Sequence, residues 1–184
     1  YSTFYKRDEA IAMPINTARG CVFKCTFCHY VFWHDPYRHR SAENVILEMK
    51  QLNKKYGANF FNFWDELSFH KLGPANKFVD KLLEANLKWH WTCSIRADLM
   101  GKEIDAKGNS IPREERLNLA RKFVKAGCVS AGYSLESGSD DILKDMNKKV
   151  ESKYFKEQVH ICREAGLINN TSIIIGYPRE TKET

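Results

Sequence analysis

The sequence predicts an α/β fold of parallel strands, and three observations carry that reading. Short apolar runs alternate with longer amphipathic segments. Each amphipathic segment closes on a glycine or asparagine. The short runs are nearly continuous in apolar and aromatic residues, the pattern of parallel strands covered on both faces. Together these describe repeated β-α units, in which each helix carries the chain back to start the next parallel strand.

The elements follow in order. A strand is predicted at 12–16. Ser41 is placed to cap a helix whose Val45, Met49, Leu52 and Tyr56 share one face, with an exit at Tyr56-Gly57. A second strand is predicted at 59–64. Pro74 suits the first turn of the next helix, which carries Phe78, Val79, Leu82 and Leu83 and exits at Ala85-Asn86. A third strand is predicted at 89–95, where Trp89 and Trp91 alternate and read as packing residues. The stretch from Gly101 to Ser110 is polar, has turn residues Asp105, Gly108 and Asn109, and is expected to be a solvent loop. Pro112 opens a helix with Leu119, Ala120, Phe123 and Val124 inward and an exit at Ala126-Gly127. A fourth strand is predicted at 128–135. Ser139 caps a short helix with Ile142, Leu143 and Met146. The last helix has Phe155, Val159 and Cys162 at helical spacing and exits at Ala165-Gly166, before a fifth strand at 171–176. Gly or Asn at such exits accepts the left-handed conformation that closes a helix.

The chain of 184 residues fits one domain, expected to span 1–184. Its 43% hydrophobic and 28% charged content is ordinary for a globular protein. No apolar run approaches the ~18 residues of a membrane helix, so no membrane partner is expected. The chain opens on Tyr1 with no signal peptide, so it is expected to be a piece of something longer in a reducing cytoplasm. Cys93, Cys128 and Cys162 are scattered, form no disulfide framework and read as buried core thiols. The net charge of +6 comes in short runs such as Lys54-Lys55 and Lys148-Lys149, which read as solvated helix faces rather than a nucleic-acid surface. Substrate phosphates or RNA stay open.

The chemistry concentrates in Arg19-Gly20-Cys21-Val22-Phe23-Lys24-Cys25-Thr26-Phe27-Cys28. This C-x3-C-x2-C array has an expected random frequency of about 0.006 for a chain with 6 cysteines. Three thiolates so close clamp one metal centre but cannot supply four ligands. Structural zinc and electron-transfer iron–sulfur sites normally have four protein ligands, so three leave a coordination position open for substrate. Arg19 and Lys24 are the nearby cations expected to favour the thiolates.

At these residues, with an aromatic just before the third cysteine, the chain resembles the radical S-adenosylmethionine (SAM) superfamily. The resemblance implies a partial (β/α)6 barrel, apparently truncated after the fifth strand. It also implies a 4Fe–4S cluster on Cys21, Cys25 and Cys28, with SAM on the remaining iron. Reductive cleavage would then release methionine and a 5′-deoxyadenosyl radical. Phe27 would lie near adenine, and Tyr30 where the family offers backbone groups to it. His29 reads as a hydrogen-bonding neighbour, with an extra-ligand role left open.

Later strand ends carry further motifs. Asp65-Glu66-Leu67-Ser68-Phe69 is similar to the variant, in the cobalamin-dependent subgroup, of the family's Gly-Gly-Glu element, and lacks its glycines. Asp65 and Glu66 are therefore candidates for the SAM amino group. Arg96, in Ser94-Ile95-Arg96-Ala97-Asp98-Leu99, suits a carboxylate because its planar fork binds bidentately. The SAM carboxylate is one candidate partner, and Asp65 or Glu66 the structural alternative. Glu136, in Glu136-Ser137-Gly138-Ser139, is the candidate for ribose hydroxyls. Ile174 is a candidate neighbour of adenine and Gly176 a point of close backbone approach, in a string that matches the family's Gly-x-Pro-x-Glu-Thr ending.

The resemblance implies a radical SAM core that acts, by cobalamin-dependent methylation or by rearrangement or cyclisation, on a small-molecule or natural-product substrate. A flavodoxin- or ferredoxin-type protein would supply electrons. Any cobalamin would be bound by a domain not in this chain. Two other readings stay open. One is an RNA-modifying methylthiotransferase-like enzyme. The other is a non-enzymatic iron–sulfur or zinc module, with His29 or His34 as fourth ligand.

Overall fold

A computed structural model describes residues 9–29 and 36–184. Tyr30 and His34 lie outside the described residues. The strands are β1 (Ala12–Ile15), β2 (Ala18–Arg19), β3 (Arg38–His39), β4 (Phe60–Phe63), β5 (His90–Ser94), β6 (Cys128–Gly132) and β7 (Ile168–Asn170). The helices are α1 (Ala42–Tyr56), α2 (Leu72–Ala85), α3 (Arg113–Lys125), α4 (Asp140–Asp145) and α5 (Ser152–Ala165). Five strands form one sheet in the order β1-β4-β5-β6-β7, and every neighbouring pair is parallel. Successive strands thus sit side by side, the arrangement of a β/α barrel wall.

Local chemistry explains the helix ends. Ser41 accepts from the Asn44 N–H and Ser139 from the Ile142 N–H, as N-caps do. All four expected exits hold: Gly57, Asn86, Gly127 and Gly166 have φ of 73°, 49°, 91° and 76°. Gly127 is irreplaceable on a second ground, because a Cβ there would lie 2.2 Å from the Trp89 carbonyl oxygen.

One core joins helices and sheet. Phe61, Phe63, Trp91 and Cys93 pack against Phe78, Val79, Phe123 and Ile161. Trp91 stacks on Phe63 with ring centroids 5.0 Å apart, and its Nε1 donates to the Ala126 carbonyl. Both strand tryptophans are packing residues, since Trp89 lies 5.5 Å from the Phe61 ring. Cys93, Cys128 and Cys162 are buried free thiols. Tyr56 and Val124 depart from expectation, lying at exposed helix positions.

The sheet differs from the expected doubly covered one. Its second face carries Asn62, Thr92, Ser94, Ser130 and Asn170, which line a cavity of about 550 Å³. The strands therefore alternate, with an aromatic face under the helices and a small, polar face toward the barrel interior. Strand length and aromatic content hid that alternation.

The fifth strand also departs from expectation. Pairing with β6 runs through 168–170, three residues earlier than the 171–176 run. Beyond it the ladder shrinks to a single parallel bridge between Glu136 and Ile173. Glu136 adopts φ 77°, which turns its segment out of extended conformation. Ile173 and Ile175 are left 63% and 90% exposed, so this isoleucine run is no buried strand.

Two short elements were not foreseen. β2 and β3 pair antiparallel and pinch together the base of the loop between residues 19 and 38. Arg40 N–H donates to the Thr17 carbonyl just below, at 2.8 Å.

Candidate functional site

The segments leaving β4, β5, β6 and β7 open on one cavity of about 410 Å³, at the carboxyl ends of the strands. This is where parallel α/β architectures place ligands. Cys21, Cys25 and Cys28 all line it as free, partly buried thiols.

Docking of the cysteine loop against a distant turn sets its shape. Thr26 N–H donates to the Met146 carbonyl at 2.9 Å, and Asn147 Nδ2 donates to the Lys24 carbonyl at 2.8 Å. The Thr26 and Tyr177 hydroxyls share a hydrogen bond of 2.7 Å. The loop is thus seated on the turn that follows α4.

Burial pushes the Cys21 and Cys25 thiols above their ordinary range. A backbone hydrogen bond from Phe23 pulls Cys21 back down, and the Lys148 ammonium pulls down both. Arg19 and Lys24, the cations expected from sequence, are exposed instead. Lys148 was expected on a solvated face, yet its side chain is only 16% exposed. It ion-pairs with Glu136 at 2.9 Å, and its Nζ stands 5.7 Å from the centre of the Phe27 ring.

Glu66, Arg96, Glu136, Phe27 and His29 join the cysteines around the cavity. Arg96 forms a bidentate pair with Asp98, which is 3% exposed, so the structural partner is neither Asp65 nor Glu66. The same guanidinium donates to the Lys149 carbonyl and lies 4.2 Å from the centre of the Phe23 ring. Glu136 is a buried acid in a left-handed conformation that costs a non-glycine residue about 1–3 kcal/mol.

Asp65, Ile174 and Gly176 do not reach this cavity. Asp65 is buried and fully engaged. It accepts from the Thr17 N–H at 2.8 Å, the Ala18 N–H at 3.0 Å, the Ser68 hydroxyl at 2.8 Å and the Thr17 hydroxyl. It ties the chain entering the cysteine loop to the end of β4. Ile174 packs toward the core, and the Gly176 N–H donates to the Glu180 carboxylate. Thr171 and Ser172 take their place at the cavity wall, because pairing with β6 ends earlier than the apolar run implied. Sequence reasoning also missed Phe23 and Lys148, although both sit in strings already singled out.

Among the described residues, no three His, Cys, Asp or Glu side chains converge on one metal ion. A cluster takes one thiolate per iron, so its ligands stand further apart than those of a single zinc. Three free thiols on one cavity wall fit that donor set.

Residues 15–184 match the Radical SAM superfamily. The chain belongs to that superfamily. Its members use a 4Fe–4S cluster and SAM. The anaerobic magnesium-protoporphyrin IX monomethyl ester cyclase of Cereibacter sphaeroides is 29% identical, over 95% of this chain and 26% of its own. The tRNA-2-methylthio-N(6)-dimethylallyladenosine synthase of a Thermoanaerobacter species is 26% identical, over 97% of this chain and 37% of its own. The cobalamin-dependent SAM radical enzyme OxsB, solved with aqua-cobalamin and SAM bound, superposes with a TM-score of 0.74 at 21% identity. That match covers 89% of this chain and 24% of OxsB, and shows that the two share a fold. This radical SAM chain thus spans a quarter to somewhat over a third of the proteins it matches.

Proposed function

We propose that the chain is the cofactor-binding core of a radical SAM enzyme. One observation carries the reading: three thiols, two acids and an arginine from separate strand ends line a single cavity. Cys21, Cys25 and Cys28 hold the cluster. Glu66 orients the amino end of SAM, Arg96 offers its carboxylate end the Nη1 that Asp98 and the Lys149 carbonyl leave unused, Glu136 takes the ribose, and Phe27 flanks the adenine. Asp65 acts at one remove, by fixing Thr17 and Ala18. When bound and reduced, the cluster supplies the electron that cleaves SAM to methionine and a 5′-deoxyadenosyl radical. The residues of the chain bind, orient and screen the cofactors, and the cofactors carry the hard chemistry.

The reaction we infer is cobalamin-dependent methylation, or a cyclisation, of a small molecule. The cyclase relative and the OxsB-like fold support it. Cobalamin would be held outside this chain, and a flavodoxin- or ferredoxin-type protein would reduce the cluster. We place the enzyme in the cytoplasm, whose reducing conditions suit its six free thiols. Likeness to the tRNA-modifying synthase favours a second reading, RNA methylthiolation. Against it, three basic residues of α3 are paired with acids: Arg113 with Glu157 and Glu164, Arg121 with Glu114, Lys122 with Asp80.

Anaerobic reconstitution, reduction and addition of SAM test the core reading. The expected products are methionine and 5′-deoxyadenosine, lost in Cys25→Ala. An iron-loaded protein that yields neither overturns it. S-adenosylhomocysteine appearing only with added cobalamin supports methyl transfer.

A further inference from the structure

Two aromatic rings alternate with the cysteines, and each carries a cation from a different strand-end segment. Arg96 lies on Phe23 and Lys148 faces Phe27. The two cations are not equivalent. Arg96 is neutralised bidentately by buried Asp98 and anchored on the Lys149 carbonyl. Lys148 has one ion-pair contact, to Glu136 Oε1, and lines the cavity beside all three cysteines.

We propose that Lys148 is a positioning residue with two tasks, orienting the Glu136 carboxylate for the nucleoside and placing a positive charge that makes the neighbouring cluster easier to reduce. The proposal rests on the cluster assignment above. The physical ground is simple. A fixed cation stabilises whichever state of a centre carries more negative charge, and the reduced cluster carries one electron more. The effect is strong here because the ammonium is largely screened from water, at 16% side-chain exposure. The ammonium stands 5.7 Å from the ring centre of Phe27, the residue just before Cys28, so the cation is presented to the cysteine loop itself. The Glu136 side chain has its other oxygen available for a ribose hydroxyl while Oε1 stays on Lys148.

The test is a redox titration of the reconstituted protein followed by the reduced-cluster electron paramagnetic resonance signal, alongside SAM affinity by equilibrium binding. Lys148→Met is expected to make reduction about tenfold less favourable, a shift of about 59 mV to more negative potential for one electron, and to weaken SAM binding. Lys148→Arg is expected to restore the potential. Glu136→Gln is expected to move the potential the opposite way, because it removes the opposing charge, while also weakening SAM binding. An unchanged potential in Lys148→Met, or Lys148→Arg behaving like Lys148→Met, overturns the proposal. If Lys148→Met does not load iron, Glu136→Gln decides: a potential that stays put or falls overturns it. Failure of the unmodified protein to take up a cluster refutes instead the cluster assignment, so the two are told apart.

Discussion

Replacing Asp65 by alanine separates a structural acid from a ligand. The carboxylate is the acceptor for two backbone N–H groups, of Thr17 and Ala18, which are 0% and 1% exposed. Without it those donors lie buried and unsatisfied, at about 1–3 kcal/mol each. The Thr17 and Ser68 hydroxyls can rotate toward each other or toward water, so they add less. The expected cost of Asp65→Ala is therefore about 3–5 kcal/mol, a large share of a typical domain stability. Asp65→Asn keeps one acceptor oxygen, and its amide can donate to hydroxyls that reverse, so about 1–2 kcal/mol is expected. Urea unfolding of the metal-free protein at neutral pH, followed by circular dichroism with an unchanged m-value, measures both. A cost for Asp65→Ala below about 1 kcal/mol refutes the reasoning. Normal stability with lost SAM affinity returns Asp65 to the role of ligand.

Four further outcomes are expected. Gly101→Ala would bring a Cβ within 1.7 Å of the Tyr154 carbonyl oxygen, and is expected to cost about 3 kcal/mol or more in thermal unfolding. Ser139→Ala removes the cap of α4 and is expected to cost about 1 kcal/mol, read from the urea midpoint. Cys162→Ala is expected to leave iron per chain unchanged, whereas Cys25→Ala lowers it, because only the latter lines the cavity. Burial holds the His39 and His70 imidazoles below their ordinary value of 6.5. The unfolded chain then binds protons that the native one refuses, so stability falls as pH drops below about 6.5, by no more than about 1.4 kcal/mol per pH unit for each histidine. His39→Leu should flatten part of that slope, and an unchanged slope rejects the assignment.

The parts of the fold legible in sequence are those that depend on near neighbours. Ser41 and Ser139 cap helices because a hydroxyl reaches an N–H three residues on. Gly57 and Asn86 end helices because they accept left-handed backbone. The three cysteines announce themselves for the same reason, lying within eight residues.

What the sequence hid depends on contacts between distant segments. Lys148 reads as one of two adjacent surface lysines until Glu136 turns left-handed to meet it. Asp65 reads as a ligand beside Glu66 until parallel pairing of β1 with β4 brings Thr17 and Ala18 to it across 48 and 47 residues. The isoleucine run at 173–175 reads as core until the register of β6 on β7 moves the ladder upstream. On its own, then, the sequence determined the helix boundaries, the parallel α/β class and the thiol triad. Tertiary structure alone decided which charges face the triad and which acid is spent on holding its loop. Capping and periodicity are properties of a few consecutive residues, whereas the partner of a buried charge is set by strand register, which no single segment encodes.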